Sequence, residues 1–129
     1  MRKLIQTRSG GAEGDNCLPA VIACFLDLES SEDCIQIQDH YPVGEENAED
    51  AKWILILDKW LEDRGWKMEN IPGHLMTGEY YIVTGVSPRN TLHVCIYRYG
   101  ELFHDPHESQ EGLLNELGFE TLKFVGLIQ

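Results

Sequence analysis

Gly14-Asp15-Asn16-Cys17-Leu18-Pro19-Ala20-Val21-Ile22-Ala23-Cys24-Phe25-Leu26 carries one cysteine to the mouth of an apolar run that continues to Leu28. At helical spacing Leu18, Val21, Ile22, Phe25 and Leu26 share one face and Ala20, Cys24 and Leu28 another, and a helix apolar all round is a buried helix. Pro19 suits a first turn, where its missing N–H breaks no intrahelical bond, and Asp15 or Asn16 can cap the free amides. The helix starts at Cys17 or, because Pro19 restrains Leu18, at Pro19 itself. Either start leaves the Cys17 sulfur at the positive end of the helix dipole, which favours the thiolate and predicts a lowered thiol pKa.

Upstream, Ser9-Gly10-Gly11-Ala12-Glu13-Gly14 reads as a flexible loop. Downstream, Cys34-Ile35-Gln36-Ile37 reads as a short helix, followed by a loop from His40 to Glu46. Asn47 and Asp50 then open a helix over Ala48 to Arg64, with Trp53, Leu57, Trp60 and Leu61 on its core face and Gly65 as its stop. The period shortens from Trp66 onward. Trp66 to Ile71, Glu79 to Val86, Thr91 to Tyr97 and Glu101 to Asp105 read as strands, Glu111 to Leu117 as a short helix, and Thr121 to Ile128 as a last strand. Helices first and antiparallel strands after them make an α+β layout.

The hairpin around Arg98-Tyr99-Gly100 can be counted. A three-residue loop pairs Tyr97 with Glu101, Val94 with His104 and His93 with Asp105, so the imidazole and the carboxylate share one face. A two-residue loop is expected to make them diagonal neighbours on that same side. Cys17, His93 and Asp105 thus supply a thiol nucleophile, a base to take its proton, and an acid to orient that base. The Cys17 backbone N–H and the Gln6 side-chain amide are candidate donors to an oxyanion.

A cysteine opening a buried helix, then His93-Val94-Cys95-Ile96-Tyr97, then Asp105-Pro106 after a hairpin, resembles the papain-like cysteine peptidase superfamily. Nearest in pattern are the bacteriocin-leader-processing peptidase domains, whose histidine strand is followed by an Asp-Pro pair. The NlpC-type endopeptidases come second, with a His-Val-Gly-Ile-Tyr strand from which Cys95 departs. The resemblance implies one papain-like domain over residues 1–129, with an N-terminal buried helix carrying the cysteine and a C-terminal antiparallel sheet. It implies a thiol hydrolase or acyl transferase acting on a peptide or other amide bond through Cys17, His93 and Asp105, with Gln6, or alternatively Asn16, at the oxyanion. No cofactor is implied.

Composition narrows the classes. A length of 129 residues with 43% apolar content supports one core-bearing domain. Twenty-two acidic against ten basic residues leave a net charge of −12, which repels phosphate backbones and anionic membranes, so no direct nucleic-acid or membrane partner is expected. Met1 to Ser9 is basic without the apolar run of a secretion signal, and a cytoplasmic protein with four free thiols is expected. Cys24, Cys34 and Cys95 read as small core residues and Trp53 and Trp60 as core aromatics. His104 and His107 bracket Asp105, but neighbours on a strand face opposite ways, so no metal site is expected there. The rival from another class is a catalytically silent papain-like binding or inhibitory module of phage or mobile-element origin, its acidic surface serving a basic protein partner.

Overall fold

The computed structural model describes residues 1–8, 15–40 and 52–127. The glycine loop from Ser9 to Gly14, the expected caps Asn47 and Asp50, the loop from Tyr41 to Glu46 and the end of the last expected strand at Ile128 lie outside them. Two helices, α1 (Cys17–Phe25) and α2 (Lys52–Glu62), precede five strands, β1 (Trp66–Asn70), β2 (Tyr80–Val86), β3 (Leu92–Arg98), β4 (Glu101–His104) and β5 (Gly118–Phe124). The strands form one antiparallel sheet in the order β1-β5-β2-β3-β4, and the layout is α+β.

The helix of the quoted stretch begins at Cys17, with Asn16 at the cap position. Pro19 therefore sits within the first turn, and Pro19 to Cys24 are all buried. Val21, Ile22, Ala23 and Cys24 pack with Leu57 and Leu61 of α2 and with Ile82, Val94, Ile96 and Leu122 of the sheet. The other face of the sheet carries Tyr81, Val83, Cys95 and Tyr97, covered by Ile71, Leu75, Leu113 and Phe119. β2 and β3 are thus buried on both faces, which is why they read as near-continuous apolar runs.

Three expectations are corrected. Cys34 to Gln36 is not a helix, since single 3-10 turns at Ser31–Asp33 and Ile37–His40 flank it and the Ser30–Asp33 capping box closes the first of them. Glu111 to Leu117 is not a helix either. Its Leu114 and Leu117 amides donate to the carbonyls of Val86 and Thr84, and Asn115 accepts from the Val86 N–H, so the segment is tied alongside the end of β2. Gly85 permits that approach, for a Cβ there would lie 2.0 Å from the Asn115 carbonyl oxygen. β5 starts directly after the segment, at Gly118.

The third correction is the hairpin register. The loop has two residues, Tyr99 and Gly100, both at positive φ, which pairs Arg98 with Glu101 and Tyr97 with Leu102. Such a loop alone would bring Asp105 level with Val94, on the face away from His93. A β-bulge intervenes: Ile96 pairs with His104, leaving Phe103 as the extra residue. One step further brings Asp105 level with Cys95, on the same face as His93 and diagonal to it. His104 points the other way, where its Nε2–H donates to the Leu4 carbonyl at 2.6 Å.

Candidate active site

β4 stops at His104, opposite Ile96, so the first half of β3 has no strand partner on that side. The N-terminus of α1 and the turn after β4 come together there. His93 is 1% exposed and Asp105 fully buried, and His93 Nε2–H donates to Asp105 Oδ1 at 2.7 Å. The remaining capacity of that carboxylate is filled by the His107 N–H on Oδ1 and the Gly112 N–H on Oδ2, each at 2.8 Å. Gln110 Nε2 holds the Asp105 and His107 carbonyls, locking the turn. Burial alone would raise the Asp105 pKa, but the His93 bond, the two backbone amides and the His93 charge outweigh it and hold the carboxyl below its ordinary range. An anionic acceptor at Nε2 fixes the tautomer, leaving Nδ1 as the basic nitrogen of the ring.

Cys17 approaches from α1. Its sulfur, a ring nitrogen of His93 and a carboxylate oxygen of Asp15 all lie within 4.8 Å of one another. The structure therefore brings Cys17, His93 and Asp105 together, with His93 in the middle. The expected thiol pKa is corrected, however. Burial first, and then the charge and hydrogen bond of Asp15, push the Cys17 thiol well above its ordinary value, and the backbone amides of Val94 and Leu18 offset this only in part. The helix terminus is outweighed because Asp15 Oδ1 already accepts from the Cys17 N–H at 2.7 Å, placing a negative charge on the dipole's positive end.

Gln6 reaches the same place. Its backbone N–H donates to the Pro106 carbonyl at 2.8 Å, tying the N-terminal segment to the turn that holds Asp105. Gln6 Nε2 donates to Asp15 Oδ2 at 3.1 Å and to the Arg8 carbonyl at 3.0 Å. The two oxyanion donors expected from the sequence thus both bind one carboxylate. Asn16 is elsewhere. Fully buried, it accepts from the Thr7 and Arg8 amides with Oδ1 and donates from Nδ2 to Thr7 Oγ1, Gln36 Oε1 and Glu32 Oε2. It clamps the Gln6 segment to α1 and has no proton free for an oxyanion, which removes it as the alternative to Gln6.

Two donor sets have metal-ligand chemistry among the described residues, Asp15-Cys17-His93 and His93-Cys95-Asp105. In the second, every partner is buried and both Asp105 oxygens already accept backbone hydrogen bonds, with which an entering ion would compete. Cys95 beside it is pushed well up by burial and by the Asp105 charge. A depression of about 610 Å³ lined by Phe25, Trp66, Tyr80 and Phe124 lies at the opposite end of α1 from Cys17, away from this chemistry.

Comparison with protein-family models, with curated proteins and with solved structures finds no match. The functional reading therefore rests on the site itself. Two of its parts were not legible in the sequence. Asp15 reads there only as a cap, because its second contact is to a side chain nine residues away. The Gly112 and Gln110 grip on Asp105 depends on a turn with positive φ at Gln110 and Gly112, which no residue spacing announces.

Proposed function

We propose that this chain is a papain-like thiol hydrolase acting on a peptide or other amide bond. The observation that carries this reading is a buried His93 with Nε2 held by Asp105 and a ring nitrogen within 4.8 Å of the Cys17 sulfur. Because the resting thiol is protonated, His93 acts at the moment of attack: Nδ1 takes the Cys17 proton as the sulfur bonds to the substrate carbonyl carbon. The carbonyl electron pair moves to oxygen, which the Cys17 N–H and Gln6 Nε2 stabilise. As the tetrahedral species collapses, the His93 imidazolium returns the proton to the leaving amine. Water then attacks the thioester with His93 as base, and the acid product departs. Asp105 keeps the ring oriented throughout.

One observation favours a second reading. A thiol held protonated with a carboxylate across its donors is also what a silent binding module of this fold would have. An activated ester separates the two. With p-nitrophenyl acetate the hydrolase reading expects a burst of p-nitrophenolate with an acetyl group on Cys17, lost in Cys17→Ala and reduced at least about tenfold, a 1.4 kcal/mol loss, in His93→Ala. No acetylation of Cys17, or acetylation indifferent to His93, would leave the binding module.

A further inference from the structure

The Asp15 carboxylate has an unusual place. Oδ1 accepts from the Cys17 N–H at 2.7 Å and Oδ2 from Gln6 Nε2 at 3.1 Å, while one of its oxygens lies within 4.8 Å of the Cys17 sulfur. A bond from an aspartate to the amide two residues on is an ordinary local turn. That turn needs one oxygen only, and it does not account for the other, which is gripped by a buried glutamine from a separate segment. Gln6 itself is arranged around this contact: both protons of its amide are spent on Asp15 and the Arg8 carbonyl, while its Oε1 is buried with no partner among the described residues. An amide oriented to leave its own oxygen orphaned is oriented by the demand for donors at Asp15 and at the Arg8 carbonyl together.

We propose that the Cys17 N–H and Gln6 Nε2 form a carboxylate-binding cradle, filled at rest by Asp15, which a substrate carbonyl must displace. This rests on the hydrolase reading and adds a regulation to it. A carboxylate is the group left on the substrate after amide hydrolysis, so a cradle that holds Asp15 also takes product acids and small carboxylates when Asp15 leaves. While Asp15 is in place, its charge adds to burial in keeping the thiol protonated, and the donors needed for the oxyanion are occupied. Displacement by a neutral carbonyl frees both donors and removes the negative charge beside the sulfur in one step. Asp15 is a positioning residue here, acting on reactivity through Cys17.

Among the described residues, the charged and titratable groups around the sulfur are few. Asp15 precedes it, and the first turn of α1 holds no acid. β3 contributes His93 with Cys95 behind it, and the turn after β4 contributes Asp105 and, edge-on to His93 at 6.3 Å, His107. From the N-terminal segment, Arg8 is paired with Glu32 and Asp39. Asp15 is the one anion among these in reach of both the sulfur and its amide.

The test is the pH profile of Cys17 alkylation by iodoacetamide on the full chain, with sites mapped by mass spectrometry and folding followed by circular dichroism. Asp15→Ala and Asp15→Asn are expected to move the Cys17 midpoint down by about one unit or more, raising the rate at pH 7 about tenfold. Acetate should then slow Cys17 labelling in Asp15→Ala, refilling the cradle, where chloride at equal ionic strength does not. If Asp15 were only a helix cap, its loss would leave the midpoint in place or raise it, acetate would have no effect, and the proposal would fall. Asp15→Asn keeps the size and one acceptor, so it reports on the charge even if Asp15→Ala does not fold. The same profiles in His93→Ala keep the two ideas apart. A His93-dependent rate with no Asp15 effect sinks the cradle alone, and a rate indifferent to His93 in every background sinks the hydrolase reading.

Discussion

Asp105 is held by three donors and bears its charge inside the protein, which ties stability to pH. Its folded pKa lies below the unfolded value of about 3.9, so its contribution is fully present above that value and is lost as pH falls through the folded pKa. Urea midpoints of the native protein and Asp105→Asn should therefore differ most near neutral pH and converge below about pH 4. A constant gap across that window would mean the carboxylate is not held as its charged form. Asn16 makes a different prediction at the same scale. Its fully buried amide holds two backbone N–H groups, and Asn16→Ala leaves them without acceptors, at a cost of about 2 to 3 kcal/mol in urea unfolding. Cys17, His93 and Asp105 were legible as candidates because each sits in a short local pattern. The clamp of Asn16 and the cradle around Asp15 were not, since their partners lie in segments whose approach only the folded chain defines.

At the level of elements, the strands were readable from alternation and the central helix from its unbroken apolar run, while the way they join was not. The bulge at Phe103 is the clearest case. Residue counting with either plain loop misplaces Asp105 by at least one position, and one position inverts the face. Deleting Phe103 should then turn Asp105 away from His93, and the His93 Nε2–H proton, followed by NMR, should lose the protection from solvent exchange that its bond to the buried carboxylate gives. A ring proton still protected in a folded deletion variant would mean another register delivers Asp105. Gly85 is a second joint: Gly85→Ala drives a Cβ into the Asn115 carbonyl and should cost about 1 to 3 kcal/mol, an overpacking penalty, measurable in the same urea series. The segment from Glu111 to Leu117 misled the sequence reading because its apolar spacing fits a helix, whereas its amides are claimed by β2.

Across the whole molecule, a net charge of −12 on 129 residues sets the fold against its own repulsion. Raising salt towards 1 M, where the Debye length is about 3 Å, should raise the Tm, and a flat dependence would show that local pairs already balance the field. No helix among the described residues is long and apolar enough to cross a membrane. The sheet order, with β5 inserted between β1 and β2, carries the C-terminal part of the chain back across the first strand, a placement that no local pattern encodes. What the fold achieves overall is to set the start of α1 against the edge of β3, so that a thiol and an imidazole far apart in the chain meet. The most direct measurement of that claim is the rate of Cys17 alkylation by iodoacetamide near pH 7.5 in the native protein and in His93→Ala, with Cys34, 3% exposed and pushed up to about 12 by burial, as the internal reference. A working pair predicts Cys17 labelling well ahead of Cys34 and a loss of about tenfold or more without the imidazole. Equal rates in the two proteins, or Cys17 no faster than Cys34, would contradict it.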